Sequence, residues 1–299
     1  MVELSIIIVN WNVKDLLEKC LDSIAVNPPQ CNYEVFVVDN ASADGSVNMI
    51  QKKFSDVKLI ASDKNLGFAG GNNLALKKAQ GQYLLLLNPD TEVLPGALQT
   101  YLDFFKDHPK AGAMGVKLVN FDLSLQPSCK SFPSWRTLFW STFFLDVLFP
   151  KSQIFGEYEM THWDHNDERE VDQPMGAALA VRREVVEKVG LMDEQFYMYF
   201  DEVDWCYRIK KAGYEIWFTP KASIIHHWGK STAQARLNMN KHWYRSLYRF
   251  LKKHAPLPAF IVWTLLVFLI LMKIVFAISI FFILAFMLIY IIRFVLGRI

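Results

Sequence analysis

Three short polar clusters, each closing a run of β-branched or leucine residues, set the chemical possibilities of this chain. Asn10-Trp11-Asn12 follows SIIIV, Asp39-Asn40-Ala41-Ser42 follows VFVV, and Asn88-Pro89-Asp90 follows LLLL. Amides and carboxylates in such places serve as helix caps and turn formers, or as the rim of a ligand crevice. Three together favour the rim. Residues Asn65 to Asn73, NLGFAGGNN, form a glycine-rich loop that runs into a helical pattern. Glycine lets a backbone approach a ligand closely, and a helix N-terminus favours an anion. The spacing is not G-x-G-x-x-G and the loop follows the third strand pattern, not the first, which argues against a dinucleotide fingerprint. Asp201, Glu202 and Asp204 gather at the start of a predicted helix. Acids there stabilise the helix dipole, or one of them serves as a general base beside a substrate. His226-His227-Trp228-Gly229-Lys230-Ser231 completes the set. Neighbouring side chains on a strand point to opposite faces, so at most one of the two histidines faces a site.

The elements that must position these groups alternate in type. Leu4–Val9, Val35–Val38, Val57–Ala61 and Tyr83–Leu87 read as buried strands. Between them, 14–25, 46–54 and 69–79 read as helices, and Pro95 opens a further helix to Lys106. This order predicts an α/β fold, a mostly parallel, Rossmann-like sheet flanked by helices, with ligands bound beyond the carboxyl ends of the strands. Asn120 to Asp172 is irregular and rich in aromatics and prolines. Regular patterns resume with a strand at 175–181, a helix at 183–189, a helix at 202–212, and two short strands at 215–218 and 222–226.

In this order the blocks SIIIVNWN, VVDNASADGS, NLGFAGGNN, LLLLNPD, GAALAVRR, FYMYFDEVDWCYRIKKAGY and HHWGKS resemble the family 2 glycosyltransferases of GT-A fold, and within them the bacterial rhamnosyltransferase-like subgroup. The resemblance covers roughly residues 4–231. It implies transfer of a sugar from a nucleotide-sugar donor to an acceptor hydroxyl with inversion. It implies that Asn10, Trp11 and Asp39 hold the base and ribose, and that Asn65, Gly67 and Asn72 line the donor pocket. NPD stands at the family's metal motif, so Asp90 is implied as a ligand of Mg²⁺ or Mn²⁺ at the donor diphosphate, with His226 as the distal ligand. The acidic pair holds the catalytic base. Relatives read Glu-Asp where this chain has Asp201-Glu202; position implies Glu202, and Asp201 stays a candidate. The subgroup implies a dTDP- or UDP-sugar donor, rhamnose among the sugars, and a glycan or lipid-linked acceptor in cell-envelope polysaccharide synthesis.

Composition bounds the rest. The 299 residues carry 32 Lys+Arg against 30 Asp+Glu, a net +2, which excludes a nucleic-acid binder acting by global charge. Four scattered cysteines without a C-x-x-C suit a reducing compartment. The apolar excess lies at the C-terminus: Leu257–Met272 is uncharged for 16 residues, Lys273 interrupts, and Ile274–Ile292 is uncharged for 19. Residues 1–255 are therefore expected to form the catalytic domain and 256–299 a membrane-associated segment of one or two helices. A single helix over 36 residues would reach about 54 Å, against a hydrocarbon core of about 30 Å. A hairpin with Lys273 at the far surface is expected, with one tilted span plus an interfacial helix as the alternative. Lys252 and Lys253 before the segment and Arg293 and Arg298 after it place both ends, and the catalytic domain, on the cytoplasmic side. A metal-dependent nucleotidyltransferase and a non-catalytic membrane scaffold of the same fold are the competing functions. The first needs a basic residue for a triphosphate near the first strand, where Asn10-Trp11-Asn12 has none.

Overall fold

The computed structural model describes residues 1–227 and 239–296. In chain order the elements are β1 Leu4–Asn10, α1 Lys14–Val26, β2 Tyr33–Asn40, α2 Ser46–Lys53, β3 Lys58–Ser62, α3 Gly67–Leu76, β4 Tyr83–Leu87, β5 Thr91–Val93, α4 Ala97–Asp107 and β6 Ala111–Val119. There follow β7 Leu125–Gln126, β8 Cys129–Lys130, α5 Trp135–Thr142, α6 Leu145–Leu148, β9 Arg169–Glu170, β10 Gln173–Pro174, β11 Ala178–Arg182, α7 Arg183–Val189, α8 Asp201–Lys211, β12 Glu215–His226, α9 Met239–His254 and α10 Ala259–Leu296. They fall into two compact units, Met1–Phe132 with Trp163–Arg249, and Pro133–His162 with Phe250–Ile299.

In the first unit the apolar runs become strands because helices cover both of their faces. The main sheet has the order β3-β2-β1-β4-β11-β6-β12-β5. The pairs β3–β2, β2–β1 and β1–β4 are parallel, as the alternation of elements predicts, and so is β6–β12. β11 lies antiparallel between β4 and β6. It reverses the chain without reversing β6, so the long strands except β11 share one direction and end on one edge. Leu17, Leu21 and Ile24 of α1 and Leu98, Tyr101 and Phe105 of α4 are buried against Ile6, Ile8, Val37 and Leu85 of the sheet. Glu215–His226 is one strand, not two. Pro220 interrupts its ladder, and the register against β6 shifts between Thr219 and Ser223, a bulge that carries the strand past the proline. All four cysteines are free thiols.

In the second unit the irregular middle of the sequence supplies two short helices. Ser134 caps α5 in a reciprocal capping box with Thr137. Phe143 and Phe144 face Phe276 of α10, with ring centroids 5.5 and 6.3 Å apart. The expected hairpin is corrected: α10 is one unbroken helix of 38 residues, about 57 Å long. No glycine, proline or asparagine stands near Lys273 to turn the chain. The lysine instead donates to Ser141 Oγ (3.0 Å) and lies 5.1 Å from the Phe144 ring centre. Ala259–Tyr290 is long and apolar enough to cross a membrane, with mean hydropathy 2.9 over its most apolar stretch. Beyond Phe276, Ile278, Phe281, Phe282, Leu284 and Phe286 are more than half exposed. Residues 277–296, 20 in number, span about 30 Å, the thickness of a hydrocarbon core.

Candidate active site

The parallel register sets Asn10 opposite Asp39 at the ends of β1 and β2. Asn10 Nδ2 donates to Asp39 Oδ1 (2.9 Å) and Ser42 Oγ (3.1 Å), and Asp39 Oδ2 accepts from the Ser42 N–H (2.9 Å). Asn12 Oδ1 accepts from the Ala43 N–H at 2.7 Å. These bonds fix the loop after β2 against the end of β1. Asn40 Nδ2 donates to Gly67 O (3.0 Å) and so ties the second strand end to the glycine loop. The side-chain oxygens of Asn10 and Asn40 are buried acceptors with no hydrogen bond among the described residues, an arrangement that ligand hydroxyls or N–H groups would satisfy.

The glycine loop begins with Gly67 at φ +73°, its N–H donating to Asn65 Oδ1 (2.9 Å). A Cβ at Gly67 would sit 2.5 Å from the Tyr197 carbonyl oxygen, so only glycine permits the segment before α8 to press this close. Asn72 turns back on its own helix and donates to Phe68 O (3.0 Å), while Asn73 spans to the main chain of Met192 in both directions (2.9 and 3.1 Å). Tyr199 and Phe200, immediately before the acidic cluster, both hold left-handed φ values of +63° and +66°. Side chains larger than glycine adopt that conformation at a cost of about 1–2 kcal/mol, and such strain concentrates at functional loops.

These parts enclose a cavity of about 360 Å³. Of the residues singled out in the sequence, Trp11, Asn65, Gly67, Asp201 and Glu202 border it, and Asn88 joins them from the NPD segment. Asn10, Asp39 and Asn72 are buried behind its wall. Tyr197, Met198, Tyr199 and His242 of α9 also border it and were not singled out. The aromatic content around the acids hints at the tyrosines. The helical pattern of 239–254 is the one signal for His242.

The three acids of α8 separate by environment. Asp204 is fully buried and accepts from Arg208 Nε (2.8 Å), whose guanidinium also donates to the Val189 and Leu191 carbonyls. It anchors the helix. Asp201 is 2% exposed, and its Oδ1 accepts the Glu202 N–H at 3.2 Å. Burial, and after it the neighbouring Glu202 carboxylate, hold the Asp201 carboxyl well above the usual carboxylate range. Ionisation of Asp201 is thereby disfavoured, and Glu202 stands beside it, half-buried on the cavity wall.

Asp90 and His226 meet at a second place. Antiparallel pairing of β5 with the end of β12 sets His226 opposite Thr91. His226 Nε2 then lies 3.4 Å from Asp90 Oδ1, both side chains nearly fully buried. Gln126 Nε2 donates to Asn120 Oδ1 (3.0 Å) and His226 O (3.2 Å), which orients its amide so that Oε1 accepts from His226 Nδ1 (2.7 Å). With Nδ1 turned to Gln126, Nε2 is the ring nitrogen that faces the carboxylate. A ring nitrogen held by an outer hydrogen bond is the usual posture of a metal-binding histidine. One carboxylate and one imidazole fit a divalent ion that completes its shell with phosphate oxygens and water. Among the described residues no third His, Cys, Asp or Glu joins them. His227 makes its own pair with Glu92 Oε1 (2.7 Å). Trp228 to Ser231 lie outside the described residues.

The comparisons agree with this layout. Residues 5–157 match the model of the family described as "Glycosyl transferase family 2". The N-acetylglucosaminyl-diphospho-decaprenol L-rhamnosyltransferase of Mycobacterium tuberculosis H37Rv is 27% identical over 259 residues, 83% of this chain and 83% of its own. The rhamnosyltransferase WbbL of Escherichia coli K12 is 25% identical, over 74% of this chain and 82% of its own. Among solved structures, the mannosyltransferase of Pyrobaculum calidifontis in complex with GDP-Man and Mn²⁺ superposes with a TM-score of 0.57 at 19% identity, over 84% of this chain and 63% of that one. The sheet with its inverted β11 is thus the GT-A fold, and the chain belongs to glycosyl transferase family 2, among its rhamnosyltransferase-like members.

Proposed function

We propose that this glycosyltransferase moves a sugar, rhamnose in the first instance, from a dTDP- or UDP-sugar to a hydroxyl of a lipid-linked glycan, with inversion, in cell-envelope polysaccharide synthesis. The carrying observation is the acidic pair, Asp201 and Glu202, on the wall of the cavity that Trp11, Asn65, Gly67 and Asn88 also border. Similarity to two rhamnosyltransferases, one of them named for an N-acetylglucosaminyl-diphospho-decaprenol acceptor, supports the sugar and acceptor class.

The residues divide the work as follows. Trp11 and the orphan acceptors of Asn10 and Asn40 receive the base and ribose, with Asp39 holding the loop that shapes their site. Asn65 and Gly67 border the donor, and Asn72 stiffens the helix behind them. Glu202 takes the proton of the acceptor hydroxyl as the new glycosidic bond forms, which leaves the anomeric carbon inverted because attack and departure occur on opposite faces. Asp201, buried and with its carboxyl pushed up by that burial, is disfavoured as the ionised acceptor. Asp90 and His226 would hold Mg²⁺ or Mn²⁺, which supplies charge neutralisation for the departing diphosphate. Residues 1–255 then act as the catalytic domain and 256–299 as the membrane-associated segment, with the catalytic domain on the cytoplasmic side, where nucleotide sugars are made.

A nucleotidyltransferase would need cations for a triphosphate, and no Lys or Arg is among the described residues that border the cavity. A panel of nucleotide sugars, each supplied with a lipid-linked N-acetylhexosamine acceptor and Mn²⁺, tests the proposal. Transfer from a dTDP- or UDP-sugar with an inverted linkage supports it. Pyrophosphate release from a nucleoside triphosphate, or no thermal shift with any donor, would replace it by the nucleotidyltransferase or the scaffold.

A further inference from the structure

The charge of this chain is nearly balanced in sum and strongly unbalanced in place. Of its 32 Lys and Arg, 11 fall after Glu215, and none of its 30 acids does. The residues up to Glu215 therefore carry a net −9 and the remainder +11. Much of that excess sits on α9, MNKHWYRSLYRFLKKH, which has five Lys and Arg and no acid. Lys241, Arg245, Arg249 and Lys252 recur at spacings of four, four and three, which is one face of a helix. Lys241, Arg245 and Lys252 are exposed and Arg249 is half-buried. Among the described residues none of these four takes part in an ion pair. Tyr244 and Tyr248, half-buried, lie between them along the helix.

The opposite face is occupied. Trp243 packs edge-on to Phe200 (5.7 Å between centroids), Ser246 Oγ donates to Met198 O (2.9 Å), and Leu247 is buried. Thus the inner face of α9 grips the strained segment that leads into Asp201, and His242 borders the cavity. Among the described residues the cationic face has no ion-pair partner.

We infer that this face of α9 docks on an anionic lipid surface, the headgroups taking Lys241, Arg245, Arg249 and Lys252, with the two tyrosines at the level of the interface. Charge complementarity selects the occupant: a stripe of cations with interfacial tyrosines, four residues before a long apolar helix, matches phosphodiester headgroups beside a bilayer. The net-negative residues 1–215 are repelled by the same surface, so the chain's own charge separation turns α9 toward it. The inference deepens the membrane reading of α10 by naming the lipid chemistry and the residues that meet it.

The test uses the full chain with preformed vesicles, of neutral phosphatidylcholine or with about a third phosphatidylglycerol. The readout is the acetylation rate of individual lysines by mass spectrometry. One basic side chain near such a surface gains about fivefold in local association. Lys241 and Lys252 should therefore acetylate at least about fivefold more slowly on anionic than on neutral vesicles, with Lys77 as an unchanged reference. The protection should fade at 0.5 M salt, where screening shortens to a few Å. Arg245→Gln with Arg249→Gln should weaken it at Lys241 while the fold, read by circular dichroism, is kept. Equal rates on both vesicles overturn the inference, as does equal protection by inorganic phosphate or by a duplex oligonucleotide on neutral vesicles. Stable insertion is scored separately by flotation in carbonate. Protection without insertion keeps the α9 surface and removes the α10 span, and insertion without protection does the reverse.

Discussion

Asp201 and Glu202 differ by one methylene and one position, and their environments differ too: Asp201 is buried and Glu202 half-buried on the cavity wall. If Glu202 is the proton acceptor, Glu202→Gln keeps its shape and should lower turnover by about 10²–10⁴-fold with donor affinity by calorimetry unchanged. Asp201→Asn should cost less in turnover, and its effect on stability has a definite sign. A buried carboxyl with a raised pKa contributes stability that is complete below the unfolded value near 4 and is lost as pH rises toward the raised folded value. Asparagine cannot ionise, so the variant should gain on the parent in denaturation midpoint as pH rises above about 4. An unchanged difference across that range would show that Asp201 is ionised in the fold. For the metal pair, Asp90→Ala should abolish transfer while the thermal midpoint stays within a few degrees. EDTA should do the same to the parent, with recovery in Mn²⁺ or Mg²⁺. Full turnover in chelator would take the cation out of the reaction. The residues visible in the sequence were those whose polarity clashes with an apolar run, such as Asp39 and Asp90. Asn40 was marked only as part of its strand-end cluster, and His242 stayed hidden because a histidine among cations carries no such contrast.

At the scale of elements, the glycine loop and the segment before α8 are one device. Gly67→Ala adds a left-handed strain of about 1–2 kcal/mol and a contact with the Tyr197 carbonyl that the backbone must move to relieve. A fall in Tm of at least about 4 °C is expected, with weakened donor binding. Binding at the parental level would show that the two loops are not coupled. The strands β1, β2, β3 and β4 and the helices between them were readable because each has a clean period and a clear stop. β6, AGAMGVKLV, was not, since small residues lack the β-branched signature and are there because Pro174 and Tyr214 press against Gly115 and Gly112. β12 looked like two strands because a proline normally ends a ladder, and the bulge that rescues it leaves no mark in composition.

At the scale of the molecule, α10 explains the irregular aromatic middle of the chain. Phe143, Phe144 and Ser141 exist to receive Phe276 and Lys273, a pairing across more than a hundred residues that no local pattern reveals. A chain ending at Ala255 would strip that surface bare and should aggregate despite losing its most apolar stretch. A chain ending at Ala277 keeps those contacts and removes the part of the helix beyond them. It should leave the membrane fraction on carbonate washing and still bind donor, as measured by calorimetry. Retention of the Ala277 chain in the membrane would assign the anchor to the packed half of α10.

The inverted β11 has a consequence for how this protein is made. β4 and β6 are each paired through β11, which leaves the ribosome about 60 residues after β6. Until then β4 ends a four-stranded parallel sheet with an open edge, and β6 waits without that neighbour. An unpaired edge of leucines is an aggregation template. The nascent chain is thus most vulnerable between the synthesis of β4 and that of β11, and stalling there should recruit chaperones more strongly than stalling after Arg182. Closure of the sheet and assembly of the cavity wall are then the same late event, because Gly176 and Ala177, which border the cavity, lead directly into the closing strand.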